Sequence, residues 1–310
     1  MPPLEASFDS SRAKRARRPA AGSGESAATS GVPGTLRALG VRPSRRMGQS
    51  FLIDPRVAGR IAALASDPRE AVVEIGPGLG ALSEILAATG RPFVAVELDL
   101  RLADHVAALL SGRANARVVR GDVLDQRLAD LMPGEGAVTV VANLPYSITT
   151  PAVAWVLAQG PRVRRAFLMM QREVAQRMTA SPGGREFGSL SVFVALHAEA
   201  VERFRVSPGA FYPRPDVDSV VVEVTPRPFP GTTEATRRDA ERLARLATGG
   251  RRKTMANALA RGLGLPAAAV RSLLIDAGID PVRRGETLAP EEWIGLARAW
   301  RRRGAPEGSA

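Results

Sequence analysis

Asn143-Leu144-Pro145-Tyr146 puts a carboxamide, a backbone carbonyl and an aromatic ring within four residues. The stretch before it, Gly136 to Ala142, carries a Val-Thr-Val-Val run that reads as a buried strand. Pro145 cannot donate to a sheet ladder and biases Leu144 away from helix, so the strand must end at Asn143. In open α/β sheets ligands bind at the carboxyl ends of strands. There the Asn143 side-chain oxygen and the Leu144 carbonyl could both accept hydrogen bonds from one exocyclic amine, with Tyr146 stacked on the ring that bears it. Such a grip suits an adenine held out of its helix. A strand-ending turn with a packed tyrosine accounts for the tetrapeptide alone equally well.

A second group stands at the first strand–helix turn, Glu74-Ile75-Gly76-Pro77-Gly78-Leu79-Gly80. Glycines there permit positive φ and let the backbone approach a ligand closely. The spacing is G-x-G-x-G rather than the G-x-G-x-x-G of dinucleotide binders. With Glu74 ahead of it, this spacing is typical of S-adenosylmethionine sites, the alternative being a plain tight turn. Glu97 ends the second strand, 21 residues beyond Gly76. A carboxylate so placed can accept hydrogen bonds from ribose hydroxyls. Asp99 fits better as a helix N-cap. Asp122 ends the third strand and is positioned to accept from a cofactor's adenine amine. Each of these has a bland reading alone, but Glu97, Asp122 and Asn143 at three successive strand ends of one sheet edge, in register with the glycines, make a strong signal for a ligand site.

Elements able to hold these residues in place follow from the pattern. Asp54-Pro55 opens a helix whose apolar stripe is Val57, Ile61 and Leu64. Strands are predicted at 71–75, 92–96, 116–120 and 165–170, besides the one ending at Asn143, with helices near 79–89, 100–111, 151–159, 171–179 and 188–197. Two β-like runs follow, 200–206 and 217–224, joined by the proline-rich loop Ser207 to Ser219. Phe211 in that loop is the candidate second face of an aromatic clamp, or equally a core residue. The fold class expected is α/β: a Rossmann-like sheet, mainly parallel with an antiparallel edge, and a small all-helical C-terminal domain. Pro226 to Gly231 reads as the linker. The division predicted is a disordered basic tail over 1–34, a catalytic domain over 35–230, a helical RNA-binding domain over 231–303 and a disordered tail over 304–310.

The chain of 310 residues has a net charge of +12 and no cysteine, which excludes disulfides and thiolate metal sites. Two histidines, His105 and His197, cannot build a His-rich metal site, so no metal is expected. No apolar run is long enough to span a bilayer and no signal-peptide segment is evident, so no membrane and a cytoplasmic location are expected. The charge is unevenly spread. Residues 1–46 carry nine basic and three acidic residues, and 237–303 carry fifteen and seven. Between them, 47–236 hold nineteen and twenty. A near-neutral catalytic core between basic ends implies a polyanionic partner docked outside the core. The run Arg12 to Arg18 reads first as a solvated tail and second as a loose RNA contact.

Taken together, these stretches resemble the ribosomal RNA adenine N6-dimethyltransferases over residues 36–303, most closely the branch acting on the small subunit. The resemblance rests on Gly48-Gln49-Ser50-Phe51-Leu52, Glu74-Ile75-Gly76-Pro77-Gly78, Val96-Glu97-Leu98-Asp99, Asn143-Leu144-Pro145-Tyr146 and Gln171-Arg172-Glu173-Val174. It continues through Phe211 to Ser219, Arg251-Arg252-Lys253-Thr254 and Gly278-Ile279-Asp280-Pro281. It implies S-adenosylmethionine as cofactor, contacted by Gln49, Ser50, Leu52, Gly76, Gly78, Glu97, Asp122 and Asn143. It implies a target adenine held by Asn143, Leu144, Tyr146 and Phe211. The implied partner is 16S rRNA in a partly assembled small ribosomal subunit, met by a monomer. The alternatives are the large-subunit branch that confers macrolide resistance, and a non-catalytic nucleic-acid-binding relative. The chain departs from the family pattern at Met47 and Ser50, where Phe and Asn are usual, and at Arg214 and Asp216, where that loop usually has a Lys and more prolines.

Overall fold

Runs of Val, Ile and Ala bury both faces of a strand at once, and such runs build the centre of this molecule. The computed structural model describes residues 31–44, 48–145, 147–227, 229–250 and 253–304. Helix α1 (Val32–Ala38) and a two-residue strand β1 (Phe51–Leu52) precede α2 (Pro55–Leu64). As the Asp-Pro pair predicts, Pro55 fills the first turn of α2 and Asp54 accepts the Arg56 N–H at 2.8 Å. Strand–helix alternation then runs through β2 (Ala71–Ile75), α3 (Ser83–Ala87), β3 (Phe93–Glu97), α4 (Leu100–Leu109) and β4 (Ala116–Arg120). It continues through α5 (Leu128–Leu131), β5 (Val138–Asn143), α6 (Thr149–Ala158), β6 (Val163–Gln171) and α7 (Arg172–Met178). Helix α8 (Ser189–His197) leads into β7 (Ala198–Val206), β8 (Phe211–Tyr212) and β9 (Ser219–Pro226).

The main sheet has the order β4-β3-β2-β5-β6-β9-β7. Strands β4 to β6 are mutually parallel, while β9 runs antiparallel to both its neighbours. This is the doubly wound α/β class with an antiparallel edge that the alternation predicted. Side chains leave each strand on alternate faces. Val72, Val141, Phe167 and Met169 therefore pack under α2, α3 and α4, and Val73, Val140, Leu168 and Val222 pack under α5, α6 and α7.

After β9, the helices α9 (Glu234–Thr248), α10 (Met255–Leu263), α11 (Ala267–Asp276) and α12 (Pro290–Arg302) surround Leu243, Leu259, Leu274 and Trp293. That second core also takes in Phe187, Val192 and Leu196, so α8 belongs to it. Val194 on the same helix turns towards the sheet. A helix apolar all round is one that is covered all round, and α8 is held between two cores. The connection after β9 is fastened to it: the Arg227 N–H donates to the His197 carbonyl at 2.7 Å and the Phe229 N–H to the Leu196 carbonyl at 3.3 Å. Among the described residues no single helix is long and apolar enough to cross a membrane.

Two boundaries differ from expectation by more than two residues. The helix predicted near 79–89 begins only at Ser83, because Gly80 has φ 84° and a right-handed helix cannot pass through it. Helix α1 starts inside the segment read as a tail over 1–34. Pro33 lies in its first turn, and its Leu36 is buried with Val41, Phe51 and Leu102. Residues 1–30 and 305–310 lie outside the described residues, and the tail readings for them remain expectations.

Truncating a buried side chain of α8, the helix that both cores share, should loosen both. Leu196→Ala is expected to cost about 2–5 kcal/mol. In denaturant titrations followed by tryptophan fluorescence and far-UV circular dichroism, the two curves should stay coincident while shifting to lower denaturant. Two separated transitions would mean that α8 does not couple the cores.

Candidate functional site

Strands β2 and β5 lie side by side, with Ile75 opposite Ala142. From β2 the chain proceeds outward through β3 and β4, and from β5 it proceeds the other way, so a crevice opens where their carboxyl ends diverge. An open cleft sits there. Its walls include Gln49, Ser50, Leu52, Gly76, Gly78, Glu97, Asn143, Leu144 and Phe211, nine of the residues singled out from sequence.

The glycine turn forms the floor. Gly76, Gly78 and Gly80 have φ of 64°, 59° and 84°, values that favour glycine. A Cβ built on Gly76 would meet no atom within 4 Å and would occupy cleft space instead. A Cβ on Gly78 would lie 3.0 Å from the ring of Phe51. The turn thus brings bare backbone against the space a ligand would fill.

Glu97 closes one end of the cleft. It is only 7% exposed, yet both its oxygens are anchored: Oε2 accepts the Gly78 N–H at 3.1 Å and Oε1 the Asp99 N–H at 3.0 Å. Burial pushes its pKa up, and those backbone donors oppose the push. Two-point anchoring fixes the carboxylate plane while lone pairs remain for hydroxyl donors. The buried backbone, the glycine cradle and a fixed acceptor fit the ribose and backbone of a nucleoside-type cofactor. Asp99 caps α4 through the Arg101 N–H at 2.9 Å, as predicted.

Glu74 lies beneath this floor, 2% exposed, accepting a hydrogen bond from the Ser83 hydroxyl at 2.5 Å. Burial pushes its pKa up to about 8; the Ser83 bond opposes this and the charge of Glu97 adds to it. At neutral pH this carboxyl therefore keeps its proton. Neither Ser83 nor this second, neutral carboxyl was identified as a partner from sequence. The signal was a charged residue inside an otherwise apolar strand.

At the other end, Asn143 Nδ2 donates to the Ser50 carbonyl at 3.0 Å. That bond selects the amide orientation and leaves Oδ1 as an acceptor with no described partner. The Leu144 N–H donates to the Met169 carbonyl at 2.9 Å, whereas no described residue donates to the Leu144 carbonyl. Two acceptors are thus left free in adjacent residues. Because Ser50 acts through its backbone, a Ser in place of the usual Asn leaves this contact intact. Gln49 is held by the loop before it, its Oε1 accepting the Ser44 N–H at 3.0 Å.

Ser50 is itself held in place. Strand β1 pairs with β8 in a separate antiparallel ribbon, Phe51 opposite Tyr212 and Leu52 opposite Phe211. The Ile53 N–H adds a bond to the Ala210 carbonyl at 2.8 Å. Phe211 lines the cleft from β8 while only 4% exposed, packed in the same core as Leu52. Phe51, Met170 and Ser219 also line the cleft and were not singled out from sequence. Met170 and Ser219 come from the β6 and β9 strand ends, and β6 shows only an apolar run.

One predicted residue stands apart. Asp122 does follow β4, but its carboxylate caps the next turn, accepting the Leu124 N–H at 2.9 Å, and it is not part of the cleft wall. Tyr146 lies outside the described residues.

Comparison with known proteins follows the same residues. The profile of the ribosomal RNA adenine dimethylase family matches residues 42–299. Ribosomal RNA small subunit methyltransferase A of Moorella thermoacetica is 42% identical over 272 residues, covering 85% of this chain and 94% of the relative. Its namesake in Geobacter metallireducens is 40% identical over 268 residues, covering 85% and 98%. Among solved structures, the 23S rRNA methyltransferase ErmE aligns with a TM-score of 0.60 at 29% identity, covering 80% of this chain and 98% of its own. A dimethyladenosine transferase from Plasmodium falciparum aligns with a TM-score of 0.68 at 22% identity, covering 82% and 98%, which speaks for the fold.

The buried Glu74 makes a pH-dependent prediction. The folded protein holds this proton up to about pH 8, whereas an unfolded chain releases it near the ordinary carboxyl value of 4.5. Between those values the folded state binds the extra proton, so its stability falls as pH rises. Glu74→Gln should remove that fall. The melting temperature of the variant relative to wild type should rise between about pH 5 and about pH 9, corresponding to about 1 kcal/mol or more. A difference constant across that range would overturn the assignment.

Proposed function

This chain belongs to the ribosomal RNA adenine dimethylase family, and on that premise we propose that it dimethylates N6 of two adjacent adenines near the 3′ end of 16S rRNA. It is an S-adenosylmethionine-dependent methyltransferase of ribosomal RNA. The observation that carries the substrate assignment is the pair of free acceptors, Asn143 Oδ1 and the Leu144 carbonyl. They stand beside Phe211 in a cleft whose far end holds the anchored Glu97.

The N6 lone pair of adenine is delocalised into the ring, which makes it a poor nucleophile. Hydrogen bonds from N6–H to Asn143 Oδ1 and the Leu144 carbonyl favour a pyramidal nitrogen and aim its lone pair into the cleft. S-adenosylmethionine, when bound, supplies an activated methyl group. The chain's own work is to hold: Glu97 accepts from ribose hydroxyls, the Gly76–Gly80 turn gives close backbone approach, and Gln49, Ser50 and Leu52 wall the cofactor side. Asp122, already a cap through one oxygen, accepts the cofactor's adenine amine with the other. Tyr146 and Phe211 take the two faces of the target base, where stacking of ~1–3 kcal/mol per base offsets the cost of extrusion. No strong base is required, because the N6 proton becomes acidic once the methyl is attached and passes to water. Holding donor and acceptor in line supplies much of the acceleration.

We further infer a division of labour. Residues 35–230 carry the chemistry, and the basic helical region 231–303 docks on RNA phosphates, which fix position without reading sequence. A docking mode of that kind needs a preformed shape, so the substrate is a partly assembled small subunit, met by a cytoplasmic monomer. The 40–42% identity to small-subunit enzymes favours that substrate over the large-subunit adenine of the resistance branch. The complete Gly, Glu and Asn set favours an active enzyme over a binding-only relative.

Glu97→Ala is expected to weaken S-adenosylmethionine binding more than tenfold in calorimetric titration, a loss above ~1.4 kcal/mol. Wild-type affinity would remove Glu97 from the cofactor site.

The substrate assignment is tested with labelled S-adenosylmethionine offered with undermethylated small subunits and, separately, with protein-free large-subunit RNA. Wild-type protein should label the small subunits to two methyls on each of two adenines. Asn143→Ala should still bind them but form no dimethyladenine. Label confined to large-subunit RNA would transfer the chain to the resistance branch.

A further inference from the structure

The β1–β8 ribbon has a side that the reaction described above leaves unused. Leu52 and Phe211 face inward to the core, but Tyr212 is 37% exposed, Ile53 41% and Val217 44%. Each lies within two residues along the chain of one that lines the cleft. Tyr212 is the cross-strand partner of Phe51, which lines the cleft, and Pro215 and Ser219 of the same loop line it too. The fold does not need this ring: the Tyr212 hydroxyl makes no hydrogen bond to any described residue, and the adjoining Phe211 supplies the core contact. Arg214, two residues on, is exposed and has no hydrogen-bond or ion-pair partner among the described residues. Arginines at 56, 69 and 101 on the same half of the molecule, by contrast, are each paired with an aspartate.

An exposed aromatic face with aliphatic neighbours and an unpaired guanidinium is what one nucleotide requires, a surface for the base and a cation for its phosphate. Extruding a base from a strand also leaves the adjoining base with a bare face. We propose that Tyr212 is a substrate-binding residue that stacks the nucleotide next to the target adenine, outside the cleft, with Ile53 and Val217 extending the platform and Arg214 contacting the backbone phosphate. This rests on the RNA substrate proposed above and adds a second base contact beyond the target adenine. The ribbon ties this platform to the Ser50 carbonyl that orients Asn143, so the flanking base lands on the same two strands that position the acceptor.

The test is steady-state methylation of undermethylated small subunits by wild type, Tyr212→Ala, Tyr212→Phe and Arg214→Gln. Tyr212→Ala should lower kcat/KM for subunits by about 5- to 100-fold, leaving the KM for S-adenosylmethionine and the melting temperature unchanged. Tyr212→Phe, which keeps the ring, should stay near wild type. Arg214→Gln should reduce the slope of log kcat/KM against log salt by about one. The proposal is overturned if Tyr212→Ala matches wild type, if Tyr212→Phe is as impaired as Tyr212→Ala, or if the alanine variant loses cofactor affinity and stability together. Wild-type protein that leaves small subunits unlabelled would overturn the substrate reading itself, and this platform with it.

Discussion

Everything at the site depends on β2 and β5 being neighbours whose chains depart in opposite directions. Two parallel strands with a common direction of exit would be roofed by their own connections. Divergence leaves their carboxyl ends open, and it places Gly76 and Asn143 one step beyond the paired Ile75 and Ala142. Gly76 and Asn143 are therefore set by the same ladder of backbone hydrogen bonds. Their separation is fixed to within the stiffness of a buried sheet, which is what in-line transfer between two bound molecules demands. The remaining parts serve that edge: Glu97 comes from the next strand out, and β1 and β8 cover the crevice from above.

Much of this was legible because central parallel strands carry an unambiguous signal. Ala71–Ile75 and Val138–Asn143 are mostly apolar and buried on both faces, and the glycines and the proline that follow them mark the loops at the strand ends. Residues whose roles come from strand ends, Glu97 and Asn143 among them, could be placed from spacing alone. The β1–β8 ribbon could not. Each of its strands is two residues long, far too short for a period, and the partners lie about 160 positions apart in sequence. Asp122 shows the complementary difficulty, since an aspartate at a strand end is equally suited to a ligand and to the next turn's N–H groups. The short α3 reflects a local rule outweighing an apolar pattern: the left-handed Gly80 delays the helix although Leu79 and Leu82 suit one.

The arginine-rich composition is used in a particular way in the first half of the chain. Asp54, Asp67 and Asp99 each accept the backbone N–H of the arginine two residues on, and each is then closed by that arginine's guanidinium. The cation folds back on its own turn, where exposed pairs of this sort add little stability but consume free charge. In a stretch whose nineteen basic and twenty acidic residues nearly cancel, these three pairs keep the two signs matched locally.

Helix α8 has a consequence for how the protein must be made. Its two sides belong to cores completed at different times, since the sheet is finished at Pro226 and the second core needs α12, which ends at Arg302. While the last helices are still being synthesised, Phe187, Val192 and Leu196 form an uncovered apolar stripe on an otherwise finished sheet domain. Such a stripe invites association with other chains until it is covered. The four C-terminal helices therefore cover an apolar surface of the part that precedes them, and the two parts cannot be exchanged as independent modules without recutting the surface of α8.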